Sequence, residues 1–115
     1  MPQNYRVAVI DGEGGFSIEE IASDQTGARL RELIGCRVFT MFSIDGLDFW
    51  VDDEGMYNAS RNLPLTRLVS TYAELVQYLY GACVIARSDD AGNTVGLTDD
   101  DLADIARRHV QYAGV

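Results

Sequence analysis

The chain contains no lysine, and all nine of its cations are arginine. That absence excludes Schiff-base chemistry and the lysine of a phosphate-binding loop. Codon usage in a GC-rich genome accounts for it without any selected role. Histidine occurs once, at His109. A lone histidine late on a terminal helix is expected to fray into solvent or to complement the helix end, not to serve a nucleophile as base. Cys36 and Cys83 lie far apart with no CxxC spacing; with one histidine they fall short of a structural zinc set. Both are expected to be reduced and buried as small hydrophobes. GxSxG, HExxH and SxxK patterns are all missing, which removes the commonest hydrolase signatures. Apolar runs are short throughout. None approaches the roughly 18 residues of a membrane span, and the stretch from Tyr5 to Ile10 is too brief for a secretory signal. The expectation is a cytoplasmic protein with no membrane partner.

What is present is a core and an excess of acid. Of the 115 residues, 47% are hydrophobic and 23% charged, enough apolar material for one globular domain over residues 1–115. Eighteen Asp and Glu against nine Arg give a net charge of −9. Such a surface repels phosphate backbones and anionic headgroups, so direct nucleic-acid binding is not expected.

The element signals describe an α+β domain. A β-branched run from Tyr5 to Ile10 ends in the turn Asp11-Gly12-Glu13-Gly14-Gly15, and the alternation from Phe16 to Ile21 completes a hairpin. Ser23 or Asp24 is placed to cap a helix over about 25–34 that stops at Gly35. The clearest local signal follows, two β-rich runs joined by Asp45-Gly46, a pair suited to a two-residue turn with positive φ. That turn sets Ile44, Phe42 and Thr40 opposite Leu47, Phe49 and Val51 on one face. Ser43, Met41 and Phe39 then stand opposite Asp48, Trp50 and Asp52 on the other. After Asp52-Asp53-Glu54-Gly55, Met56-Tyr57 extend the sheet briefly. Apolar positions at 65, 68, 69, 72, 75, 76 and 79 predict a helix with Pro64 in its first turn and Asn62 near its cap, which the β-branched cluster Val69-Ser70-Thr71 could divide. A strand over 82–87, a turn over 88–93, a strand stub at 94–96 and a helix opened by Thr98 complete the order ββαββαββα, a mainly antiparallel sheet of hairpins packed by about three helices.

Chemistry-bearing patterns are few. Gly12, Gly14 and Gly15 follow a strand, but no GK[ST] follows them and GxGxxG is not completed, so they read as a hairpin turn. The carboxylates Asp45, Asp48, Asp52, Asp53 and Glu54 lack the spacing of a calcium loop. Eighteen acids will place some pair at glycosidase distance by chance, so no pair is singled out. No cofactor is implied. Two features stand out as partner-binding candidates: the mixed face of Phe39, Met41 and Trp50, and the acidic rim of Asp48, Asp52, Asp53, Glu54, Asp89 and Asp90, continued by 99–104. The simplest alternative for the apolar face is that the helix from Leu65 to Leu79 covers it. For the acids it is solubility.

The D-D-E-G turn (Asp52 to Gly55), Asn-Leu-Pro-Leu (Asn62 to Leu65), the strand GACVIAR and the helix start Leu97-Thr98-Asp99-Asp100 together resemble an uncharacterised family of small actinobacterial, plasmid and phage proteins, catalogued as a domain of unknown function. The stretch from Ser70 to Tyr80 departs from it in being longer and richer in tyrosine. The resemblance brings no catalytic residues with it and implies a mobile-element setting. The functional expectation is a small acidic, non-enzymatic accessory protein that binds another protein, such as a basic nucleic-acid-processing or host-defence factor, by electrostatic steering. The alternatives are a self-associating module, dimeric through a strand edge or the Trp50 face, and a small ligand-binding or hydrolytic domain with a carboxylate-lined cleft.

Overall fold

The computed structural model describes residues 3–113. One six-stranded antiparallel sheet carries helices on both faces. The elements are β1 (Asn4–Ile10), β2 (Phe16–Ala22), α1 (Thr26–Ile34), β3 (Phe39–Ile44), β4 (Leu47–Asp52), α2 (Gly55–Asn58), α3 (Leu63–Ser70), β5 (Cys83–Ser88), β6 (Thr94–Val95) and α4 (Asp99–Arg108). A 3₁₀ turn at Ser23–Gln25 leads into α1, and a π-helical turn, His109–Ala113, follows α4. The strands lie in the order β2-β1-β5-β4-β3, with β6 pairing the end of β5. The fold is α+β, as the hairpin and cap signals predict.

The β3–β4 hairpin has the predicted register at every position, from Ile44 opposite Leu47 to Phe39 opposite Asp52. Its turn puts Asp45 at φ 53° and Gly46 at φ 78°, the positive pair that an Asp-Gly sequence tolerates. Because side chains alternate across a strand, this register sorts the sheet into two faces. One carries Ala8, Ile10, Leu47, Phe49, Cys83 and Ile85, beneath Leu65, Leu68 and Val69 of α3 and Leu102 and Ile105 of α4. The other carries Val7, Val9, Ile21, Val84 and Ala86 beneath Leu30 and Ile34 of α1.

Four local expectations are corrected. Ser23 and Asp24 do not cap α1: they sit in the 3₁₀ turn, and the N-cap is Gln25, without a side-chain bond. Met56 and Tyr57 belong to the single-turn α2, not to the sheet. The third helix stops at Ser70, not at Leu79. Its last turn is consumed by hydroxyls, Ser70 Oγ donating to the Thr66 carbonyl at 2.7 Å and Thr71 Oγ1 to that of Leu68 at 2.7 Å. Beyond it the chain returns alongside Asn62, where the Asn62 amide donates to the Leu79 carbonyl at 2.8 Å and the Leu79 amide to Thr66 Oγ1 at 2.9 Å. Tyr72, Leu75 and Leu79 still reach the core from this irregular segment, but Val76 is fully exposed. His109 does not fray: its Nε2 lies 2.7 Å from the Gly14 carbonyl, and its ring packs on Phe16.

Asn62 ties these parts together. Its side chain accepts from the Leu65 amide as the N-cap of α3, and donates to the carbonyls of Asp11 (2.8 Å) and Gly81 (2.9 Å). The start of α3 is thereby fastened both to the β1–β2 turn and to the entry of β5. Gly14, at φ 92°, lies against Pro64 so closely that a Cβ there would meet the ring at 2.3 Å.

Candidate functional site

Antiparallel pairing of β4 with β5 sets Val51 opposite Cys83 and Asp48 opposite Ala86. The start of β5 therefore lies beside Asp52, Asp53 and Glu54, while Asp89 and Asp90 follow its far end. The acidic rim is split between opposite ends of the sheet. At the first end Asp52 caps its own turn, accepting from the Glu54 amide at 2.8 Å, and Asp53 and Glu54 are exposed.

The second end collects more charge. Arg87 is its strap: Nε and Nη2 donate to the two oxygens of Asp101, each at 2.7 Å, and Nη1 donates to the Gly46 carbonyl at 2.9 Å. This fork joins the β3–β4 turn, the end of β5 and the first turn of α4. The Arg87 bond holds the Asp101 carboxyl at about 2, and Thr98 completes a capping box with the same residue. Around the strap stand the exposed carboxylates Asp45, Asp89, Asp90, Asp99 and Asp100. Asp89 closes the β5–β6 turn by accepting from the Ala91 and Asn93 amides at 2.9 Å, and the Asn93 amide leads the bonds that keep its carboxyl below the usual range. Arg6 pairs with Asp99, so the two guanidiniums found here are both committed to carboxylates.

Asp48 does not belong to the exposed rim. It is 4% exposed and accepts from Ser43 Oγ at 2.7 Å and from Ser88 Oγ. Neither serine is a recognisable motif in sequence; only the register of β3, β4 and β5 brings them to one carboxylate.

The Phe39–Met41–Trp50 face is half covered, and not by the segment from Leu65 to Leu79, which packs on the opposite face. Phe39 and Trp50 pack with the cluster under α1, their rings edge to face with centroids 5.3 Å apart, and Arg31 of α1 lies over Phe39. The indole Nε1 is buried without an acceptor. Met41 alone of the three is exposed, on edge strand β3. Among the described residues no group of three His, Cys, Asp or Glu is arranged to hold a metal ion. Burial pushes the Cys83 thiol up, and burial with the Asp52 carboxylate does the same to Cys36. No described helix is long and apolar enough to cross a membrane.

Over residues 5–110 the sequence matches a family described as a domain of unknown function (DUF3846). The chain belongs to that family. The match spans every element from the first strand to the end of α4, which agrees with the resemblance carried by the turn and cap motifs. No curated protein and no solved structure matches the chain.

Proposed function

We propose that the protein is a non-enzymatic accessory protein of phage or plasmid type that acts in the cytoplasm by binding another protein with a basic docking surface. The observation that carries this reading is the convergence of Asp45, Asp89, Asp90, Asp99 and Asp100 around the Arg87 strap. Three separate chain segments contribute like charges to one end of the sheet, where Asp89 is fixed by the amides of Ala91 and Asn93 and Asp99 pairs with Arg6. Such a fixed negative field raises the encounter rate with a cationic partner and weakens as salt screens it. The Trp50 face is not needed for this contact.

The test compares retention from host lysate by the wild-type chain and by a D45N/D89N/D90N variant, at low and at high salt. All three positions are exposed. One protein retained by the wild type at low salt, released at high salt and not retained by the variant supports the proposal. Equal retention by both chains, or no retained protein at any salt, overturns it. Light scattering on the purified chain decides the self-association alternative, since a monomer excludes it.

A further inference from the structure

β2 and β3 stand at the two ends of the main strand order, and each leaves one side of its backbone without a strand partner. The two edges are built differently. β2 carries Glu19 and Glu20, and charge on an edge strand opposes further pairing. β3, from Phe39 to Ile44, has no charged residue, proline or glycine. Thr40, Met41 and Ser43 are exposed along it, and Val38, just before it, is 52% exposed.

The register fixes which backbone groups this edge offers. The Asp53 amide donates to the Val38 carbonyl at 3.0 Å, so Val38 turns its carbonyl toward β4. Alternation along an antiparallel strand then turns the N–H and C=O of Thr40, Phe42 and Ile44 the same way, and those of Phe39, Met41 and Ser43 outward. Because β3 pairs with β4 alone, the outward groups have no strand partner. They are evenly spaced about Met41. A second β3 running antiparallel, with its own Met41 opposite, therefore meets all of them: Phe39 faces Ser43, Met41 faces Met41 and Ser43 faces Phe39, each pair exchanging two hydrogen bonds.

The same register matches the side chains. Val38 comes opposite Ile44 of the second copy on one face, and the two Met41 side chains meet on the other, so the exposed apolar residues of this edge are both covered. Arg37 and Asp45, each four positions from Met41, are the only charged residues from 37 to 45. Both are exposed, and neither makes an ion pair among the described residues. In the antiparallel pair each Arg37 comes beside Asp45 of the other copy. In a chain of net charge −9 this edge is thus locally neutral and complementary to itself.

We propose that two copies of the chain dimerise through β3, antiparallel and centred on Met41, to make one continuous sheet. The inference does not rest on capture of a cationic partner, since Asp89 and Asp90 follow β5, two strands from this edge.

The experiment is sedimentation equilibrium from micromolar to millimolar chain at constant ionic strength. It is run on the wild type, M41K, I18K, R37E, D45R and the R37E/D45R double variant. Expected is a wild-type dimer that M41K abolishes, because two ammonium groups would then face each other at the centre, and that I18K, exposed on the β2 edge, leaves unchanged. R37E and D45R should each weaken the dimer about tenfold, and the double variant should restore it. The single variants move the net charge in opposite directions and the double variant returns it to −9, so weakening by both cannot come from overall repulsion. A wild-type monomer at every concentration overturns the proposal, as does a dimer that M41K spares or I18K abolishes. Responses of R37E and D45R in opposite directions, or no recovery in the double variant, overturn the register. Circular dichroism checks each fold, and the charge-exchange set carries the test if M41K is unfolded.

Discussion

Replacing Asn62 should cost far more stability than a polar change on the surface. The residue is 1% exposed and makes three side-chain hydrogen bonds, to Leu65, Asp11 and Gly81. Asn62→Ala removes all three, and two carbonyls lose a buried donor. At about 1 kcal/mol per bond, the N-cap included, the loss is about 3 kcal/mol. That corresponds to a fall of about 10 °C in Tm for a domain of this size. Asn62→Asp keeps the acceptor for the Leu65 amide but turns a carboxylate toward two carbonyl oxygens. Its folded-state pKa is therefore raised above the unfolded value of about 3.9. The extra penalty is fully present above the folded pKa and fades as pH falls toward the unfolded one. Urea unfolding followed by circular dichroism at pH 7 and pH 4.5 measures both variants. A loss below about 1 kcal/mol for Asn62→Ala would refute the assignment of Asn62 as the buried tie between the β1–β2 turn, α3 and β5, because a capping bond alone accounts for that much.

Gly14→Ala should destabilise by about 3 kcal/mol, since it combines a φ of 92° with a Cβ at 2.3 Å from Pro64, whereas Gly12→Ala, with nothing within 4 Å of its Cβ, should be close to neutral by the same chemical denaturation. Asp101→Asn should lose about 1 kcal/mol at pH 7, a value discounted because Arg87 is partly exposed. The depressed carboxyl contributes above its unfolded pKa and loses its contribution between about pH 4 and pH 2, so the wild-type and variant melting curves should converge in that window. Iodoacetamide followed by intact-mass measurement should find Cys83, wholly buried, unmodified in the native chain and alkylated only after unfolding; rapid native labelling at Cys83 would contradict the packing of β5.

Local signals were legible where a short stretch of chain decides its own geometry. Asp45-Gly46 favours a two-residue turn with positive φ at both positions, and that turn sets six cross-strand pairs. Thr98 and Asp101 form their capping box from sequence spacing alone. The helix from 65 to 79 failed for a physical reason. Tyr72, Leu75 and Leu79 do face the core, but periodicity reports burial and not hydrogen bonding, and the hydroxyls of Ser70 and Thr71 divert the carbonyls that would continue α3. Which helix covers which face is a tertiary choice, so α1 over Trp50 was not visible from residue spacing. The same holds for the acidic candidates. Asp48 is buried because the registers of β3 and β5 set Ser43 and Ser88 against it, Ser88 from 40 positions away, whereas Asp89 lies in the exposed β5–β6 turn.

The position of β5 shapes how the chain must fold. Its neighbours β1 and β4 belong to separate hairpins, and Ala8 waits for a partner 77 positions downstream, at Ile85. During synthesis the first seventy residues hold two ribbons, each with an inner edge that stays open until the late strand slots between them. Long-range closure of this kind places folding among slow, non-local topologies, on the scale of roughly milliseconds to seconds. A chain halted before residue 83 would display those unpaired edges to its neighbours, which makes truncation a route to aggregation and not to a smaller working domain.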